Sequence, residues 1–466
     1  MAEQPLPLAE DNLPADGVRR EGISRRSLLA LGAVLVAGAA WPVARGLGSE
    51  TLPDGPVLPP LADLPALPWT ADPDGALAGV LVAAPAGSGL AYNATTPGPL
   101  LRLREGDRVR LRFRNDTADA SSLHLHGLPL TPAVDAPLAH LMPGDEDVRE
   151  FTVPAGSAGT HWYHPHAHGD VERQILAGLT GPIVVTGPAD ERPELAQAGD
   201  HLLAVTRSGA DLLVGGRLRP VMYPRSGRTR LRLLNATAGD SLRFAVTRDG
   251  APATVHLIAT DAGLVKRLVA LREVLLPPGG RAEVLVETTR RGRLEVRALP
   301  HSPYGPGGEA SADTVLASLD VPTSSAAVPL PAALAPVEHL DPVTAVTTRR
   351  IELDANDAGG FTIDGRPFAM DRVDVSARLG TLEVWEVVNR HSMEHPFHLH
   401  SYPVQVLDVD GVAEPYRAWR DTVTVPPGST VRLAIPFRGA PGRTVYHCHI
   451  ANHEDLGMMG VLEVRP

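Results

Sequence analysis

The chain has 466 residues, enough for two to four domains with sizeable cores. Its net charge of −11 leaves no basic footprint, which excludes nucleic acid as a partner. Its single cysteine, Cys448, excludes an internal disulfide; a free cysteine is retained more often for reactivity than for packing.

The N-terminus reads as a targeting region. Ser24, Arg25, Arg26, Ser27, Leu28 and Leu29 precede an apolar stretch that runs from Leu28 to Ala44. Paired arginines before such a stretch predict a twin-arginine signal over residues 1–44, with the twin-arginine (Tat) export machinery as partner. Ala37, Gly38 and Ala39 offer a cleavage site. An uncleaved membrane anchor is the alternative, though the stretch is short and diluted by glycine. Either way the expected location is periplasmic or extracellular. Residues 45–66 are rich in proline, leucine and glycine, and read as a linker.

From about residue 67 the pattern becomes short alternating runs between turn residues. Val109 to Phe113, Leu231 to Leu233 and Val431 to Ile435 all alternate at period two, as antiparallel sandwich strands with one wet face do. The runs recur. Arg104 to Asn115 has counterparts at Arg228 to Asn235 and Leu379 to Asn389. Each block closes on an apolar strand, at Gly181 to Val185, Ala282 to Val286 and Gly460 to Val464. This self-similarity predicts tandem sandwich domains at 67–188, 189–323 and 335–466.

Histidines in the first and third blocks come in pairs: His124 and His126, His164 and His166, His398 and His400, His447 and His449. On a strand, each pair places both rings on one face. Eight converging imidazoles are too many for one metal ion and about right for three. Cys448 lies between the last pair and faces the other way. With His453, Met458 and His395, which has opposite strand parity to His398, it completes the ligand set of a blue-copper electron-transfer site. The middle block has only the unpaired His201, His256 and His301, and reads as a spacer. The eight-histidine cluster is therefore expected where the first and third domains meet.

These motifs resemble a known family. His-Leu-His-Gly at 124–127, His-Trp-Tyr-His-Pro-His at 161–166, His-Pro-Phe-His-Leu-His at 395–400 and the run from His447 to Met458 are similar to the four copper-binding motifs of the multicopper oxidases. They occur in the family's order, and the resemblance spans about residues 67–466. It implies an all-β fold of three tandem cupredoxin-like Greek-key β-sandwich domains, as in the laccase-like, three-domain bacterial type. It implies four copper ions per chain. A type 1 copper would sit at His395, Cys448, His453 and Met458. A type 2 copper would sit at His124 and His398, and a type 3 pair at His126, His164, His166, His400, His447 and His449.

The resemblance also implies proton-relay acids at Asp135 and Glu454, with electron entry near the outer edge of His453. Structural or surface roles are expected for His161, His168 and His391. The implied reaction couples oxidation of a small organic reductant, such as a phenol or aromatic amine, to reduction of dioxygen to water. A monomer is expected. The alternative is a cuprous ion oxidase that acts on Cu(I) in copper tolerance. Met393, two residues before His395, matches a substrate-copper ligand of such relatives, but the seven methionines are scattered and form no methionine-rich insert. A non-catalytic cell-division scaffold of the same fold is disfavoured, because those relatives have lost copper ligands that are all present here.

Overall fold

Strand Arg108–Asn115 shows how the alternation is used. Val109, Leu111 and Phe113 are buried, while Arg108, Arg112 and Arg114 are exposed. A computed structural model describes residues 58–466 apart from 225, 226, 324, 327, 328 and 332. The signal region 1–44 and the linker as far as residue 57 lie outside the described residues. Among the described residues, no helix is long and apolar enough to cross a membrane.

The strands build three sandwiches in chain order. In the first, a five-stranded sheet built on Leu77–Ala86 and Arg108–Asn115 covers a three-stranded sheet of Leu101–Arg104, Gly181–Thr186 and Gly159–Tyr163. In the second, two six-stranded sheets enclose the largest core, which includes Leu231, Phe244, Leu257 and Val284. In the third, a six-stranded sheet around Leu382–Asn389 faces a five-stranded sheet of Val375–Arg378, Met459–Arg465, Gly442–Cys448, His395–Leu399 and Thr422–Val425. Trp385, Phe397, Tyr446 and Cys448 pack between these two sheets.

The sequence repeat has a structural cause. Each sandwich pairs its first long strand in parallel with the repeated run: Leu77–Ala86 with Arg108–Asn115, Gly199–Ser208 with Arg228–Asn235, and Thr347–Ala355 with Leu382–Asn389. The asparagine that ends each run is buried, and its amide ties two loops together. Asn115 donates to the Asp119 and Leu141 carbonyls, Asn235 to those of Asp240 and Leu276, and Asn389 to those of Met393 and Val425. Asn389 thus anchors the loop that delivers His395.

The segment read as a linker is partly built in, and so is the stretch between the second and third sandwiches. Leu61 N–H donates to the Val221 carbonyl and Leu67 N–H to that of Leu100, so residues 58–67 run across both the second and first sandwiches. Leu334 is buried against the second core. All three sandwiches meet at a small cluster in which Trp162, Val171 and Ile175 pack on Ala204, Leu234, Ala236, Ala238 and Ala451. Alanines there let the backbones approach closely.

Candidate metal centre

Cys448 ends strand Gly442–Cys448 and is fully buried. Its Sγ lies 3.5 Å from both His395 Nδ1 and His453 Nδ1, which are 3.1 Å apart. A triangle of this size suits one ion with bonds of about 2.0–2.3 Å. His395 enters from the adjacent strand His395–Leu399, and His453 from the one-turn helix Ala451–Asp455. Met458 is buried in the same core, tied to both: its N–H donates to the His453 carbonyl and its carbonyl accepts from Cys448 N–H. Burial pushes the Cys448 thiol well above its ordinary pKa, so only a metal would make it a thiolate at neutral pH. Burial likewise lowers His395 to about 2 and His453 to about 4, which keeps both rings neutral and able to ligate.

The other eight histidines converge between the first and third sandwiches, each at most 3% exposed. Their arrangement differs from the strand expectation. His398 and His447 lie in strands, but the other six sit in isolated bridges or loops just beyond strand ends. Three sets bring their ring nitrogens within 4.8 Å of one another: His124, His126 and His164; His124, His398 and His400; His166, His400 and His447. His449 Nε2 lies 3.1 Å from His126 Nδ1.

The hydrogen bonds around these rings fit metal ligands. Asp135 is buried and uses one carboxylate oxygen for each of two rings, His124 Nδ1 at 2.7 Å and His400 Nδ1 at 2.8 Å. The His398 Nδ1–H donates to the Asp421 carbonyl, and the His164 Nδ1–H to that of Pro165. In His124, His164 and His398 the opposite nitrogen, Nε2, is buried with no partner. Such an orphan costs about 1–3 kcal/mol, and a bound cation removes that cost. Burial lowers the pKa of seven of the eight rings, His164 and His166 to about 3.

Comparison with known proteins agrees with this geometry. Two multicopper oxidase family models match, one over residues 81–190 and the other over 341–466. The chain belongs to the multicopper oxidase family. Multicopper oxidase mco of Staphylococcus aureus is 27% identical, over 80% of this chain and 83% of its own. A laccase of Haloferax volcanii is 26% identical, over 79% and 76%. Cell division protein FtsP of Photorhabdus laumondii is 28% identical, over 79% and 83%. Among solved structures, a Campylobacter jejuni multicopper oxidase described as a metallo-oxidase superposes with a TM-score of 0.78 at 25% identity, covering 88% of this chain and 96% of that one.

Around the multicopper oxidase cluster, the two predicted acids take different positions. Asp135 holds two rings, as above. Glu454 is 3% exposed, 3.1 Å from His447 Nδ1 and 3.3 Å from His166 Nε2. Burial pushes its pKa up, and the His447 and His166 rings more than offset this, so it falls below the ordinary value. Burial lowers His447, but Glu454 outweighs it and leaves that ring raised, unlike its seven neighbours. Near the sulfur pocket, Phe361 stacks on His453 at 3.9 Å, leaving that residue 5% exposed. His391 stacks on His395 at 5.2 Å, and Met393 packs partly buried against the third core. His161 is buried on the Ser157 carbonyl, and His168 packs between His140 and Phe368.

The middle sandwich of this multicopper oxidase is more than a spacer. Its fully buried Arg281 forks onto Asp421 at 2.7 and 2.5 Å, and Asp421 Oδ1 is 3.0 Å from His126 Nε2. Burial works against the guanidinium charge, but Asp421 and Asp261 more than offset it. Gly279, at φ +80°, lies so close to His449 that a Cβ there would be 2.8 Å from its Nε2. Sequence reasoning missed Asp421, Arg281 and Gly279, because none belongs to a histidine motif. The turn Pro277-Pro278-Gly279-Gly280 before Arg281 was the available signal.

Proposed function

We propose that this protein is a laccase-like oxidase. It takes electrons singly from a small organic reductant, such as a phenol or aromatic amine, and delivers them to dioxygen, which is reduced to water. Four coppers would be held as the motif resemblance implies. His395, Cys448, His453 and Met458 would hold the type 1 ion, and His124 with His398 the type 2 ion. His126, His164, His166, His400, His447 and His449 would hold the type 3 pair. Bound copper supplies one-electron exchange at the sulfur pocket and oxygen reduction at the histidine cluster.

One observation carries this reading. Cys448 sits in the sulfur pocket, while its neighbours His447 and His449 reach into the eight-histidine cluster. One peptide unit on each side therefore joins the two sites. Asp135 holds two rings in the tautomer that frees Nε2. Glu454, buried beside His447 and His166, is placed to relay protons to the cluster. The export reading of residues 1–44 belongs to this proposal and places the working protein outside the cytoplasm.

Metal analysis of the loaded protein, with oxygen uptake on phenols and on Cu(I), tests the reading. About four coppers per chain and turnover of phenols are expected. A reproducible value near one copper, or a preference for zinc, would overturn it. Met393 and the metallo-oxidase relative favour a second reading, oxidation of Cu(I). Met393→Leu should then abolish Cu(I) oxidation and spare phenol turnover; under the laccase-like reading it changes neither by more than a few-fold.

A further inference from the structure

We propose that Arg281 and Asp421 form a positioning device through which the middle sandwich sets the tautomer and aim of His126, so that docking of that sandwich completes the histidine cluster. The inference rests on the four-copper reading above. His126 is fully buried, and its two nitrogens face different neighbours. Nδ1 points to His449 Nε2, inside the cluster. Nε2 points outward, 3.0 Å from Asp421 Oδ1 and 3.2 Å from Thr422 Oγ1. A carboxylate accepting from Nε2–H leaves the Nδ1 lone pair free for metal.

Asp421 can hold the ring only if its carboxylate keeps its place. Arg281 fixes it there, because the guanidinium is planar and grips both carboxylate oxygens. Arg281 is itself fixed by the Asp261, Gly279 and Thr160 carbonyls, and its backbone N–H donates to Asp261 Oδ1. Thr160 belongs to the first sandwich, Arg281 to the second and Asp421 to the third. The backbone of Asp421 also fixes His398 through its carbonyl. One guanidinium thus reads out whether all three sandwiches are seated, and one carboxylate passes that to a ring of the cluster. A Cβ at Gly127, next to His126, would lie 2.2 Å from Arg281 Nη2, so the guanidinium packs directly against the histidine loop.

Three variants of the full chain test the device: Arg281→Lys, Asp421→Asn, and the double Arg281→Met with Asp421→Leu. The double removes both charges of a buried pair, which folds more readily than leaving one alone. The blue thiolate band reports the sulfur pocket, and competition with a chelator reports the cluster. All three variants should keep the band, yet release the cluster coppers roughly 10–100-fold more readily than the parent. Histidine-selective nitrogen NMR of the metal-free parent should show His126 protonated at Nε2. Unchanged copper retention, parallel loss of the blue copper, a His126 protonated at Nδ1, or failure of all three variants to fold would each overturn the proposal. A parent that does not bind about four coppers would instead overturn the underlying reading.

Discussion

Cys448 is surrounded by groups that make sense only with a metal between them. Its thiol is held neutral by burial, and two imidazole nitrogens face it at 3.5 Å. Cys448→Ser should therefore abolish the intense visible band and oxidase turnover, while about three coppers remain in the cluster. A variant that stays blue would show that another residue supplies the charge-transfer ligand. The two acids should separate. Glu454 stands beside the His447 and His166 rings but does not bridge two rings by hydrogen bonds as Asp135 does, so Glu454→Gln should keep its copper, reduce normally at the sulfur pocket in stopped flow, and reoxidise slowly in oxygen. Asp135 orients two rings at once. Asp135→Asn can accept from only one ring with its single carbonyl oxygen, and should lose copper from the cluster roughly tenfold more readily as well as slowing reoxidation. Full copper retention in Asp135→Asn would confine that residue to proton delivery.

At the scale of elements, the same device positions a ligand in the first and third sandwiches. Tyr163 precedes His164 and is paired across the sheet with Gly181; Tyr446 precedes His447 and is paired with Gly460. Each tyrosine ring folds over its glycine, so that a Cβ would come within 2.1 Å of Tyr163 and 2.6 Å of Tyr446. The glycines that open the repeated closing strands therefore exist to seat a ring beside a ligand. Gly460→Ala should displace Tyr446, cost about 1–3 kcal/mol in denaturant unfolding as an overpacked core does, and weaken copper binding through His447. A second element contact joins the first and third sandwiches. The short helix Val171–Leu176 has no side-chain cap of its own, and Asp455 of the third sandwich accepts from the N–H groups of Val171 and Glu172, both at 2.9 Å. Asp455→Ala should cost about 1 kcal/mol, the usual worth of such a cap, visible as a lower denaturant midpoint with the copper count unchanged.

For the whole molecule, the buried histidines link stability to pH. Burial lowers His164 and His166 to about 3, His453 to about 4 and His395 to about 2, against 6.5 in the unfolded chain. Between those limits the unfolded state binds more protons than the folded one. Each such ring therefore contributes its full stability above about pH 6.5 and loses it as pH falls towards its folded value, at about 1.4 kcal/mol per pH unit. His447, raised by Glu454, has the opposite sign but is one ring against several. Calorimetry of the metal-free protein should thus show Tm falling steeply below pH 6.5. Copper loading should raise Tm at neutral pH by mass action, and the gain should shrink in acid as protons compete for the rings. A metal-free Tm that is flat from pH 7 to 4 would contradict this account.

The residue types and their spacing were enough to predict an all-β chain with a sulfur pocket beside a histidine cluster. Period-two alternation can be read locally, and a metal site must be built from a few donor types, so one cysteine and four histidine pairs stand out against any background. The repeated runs stand out in the sequence because each sandwich starts with the same parallel strand pair and ends its long strand on the same buried asparagine. What lay beyond the sequence is the aim of each ring. Which nitrogen faces inward depends on the partner of the other nitrogen, and those partners are distant in the chain: Asp421 is 295 residues from His126, and Arg281 is 140 from Asp421. An aspartate or arginine outside a motif looks like any surface charge until folding buries it. Only the packing of three sandwiches on one another turned the middle domain from a spacer into a wall of the site.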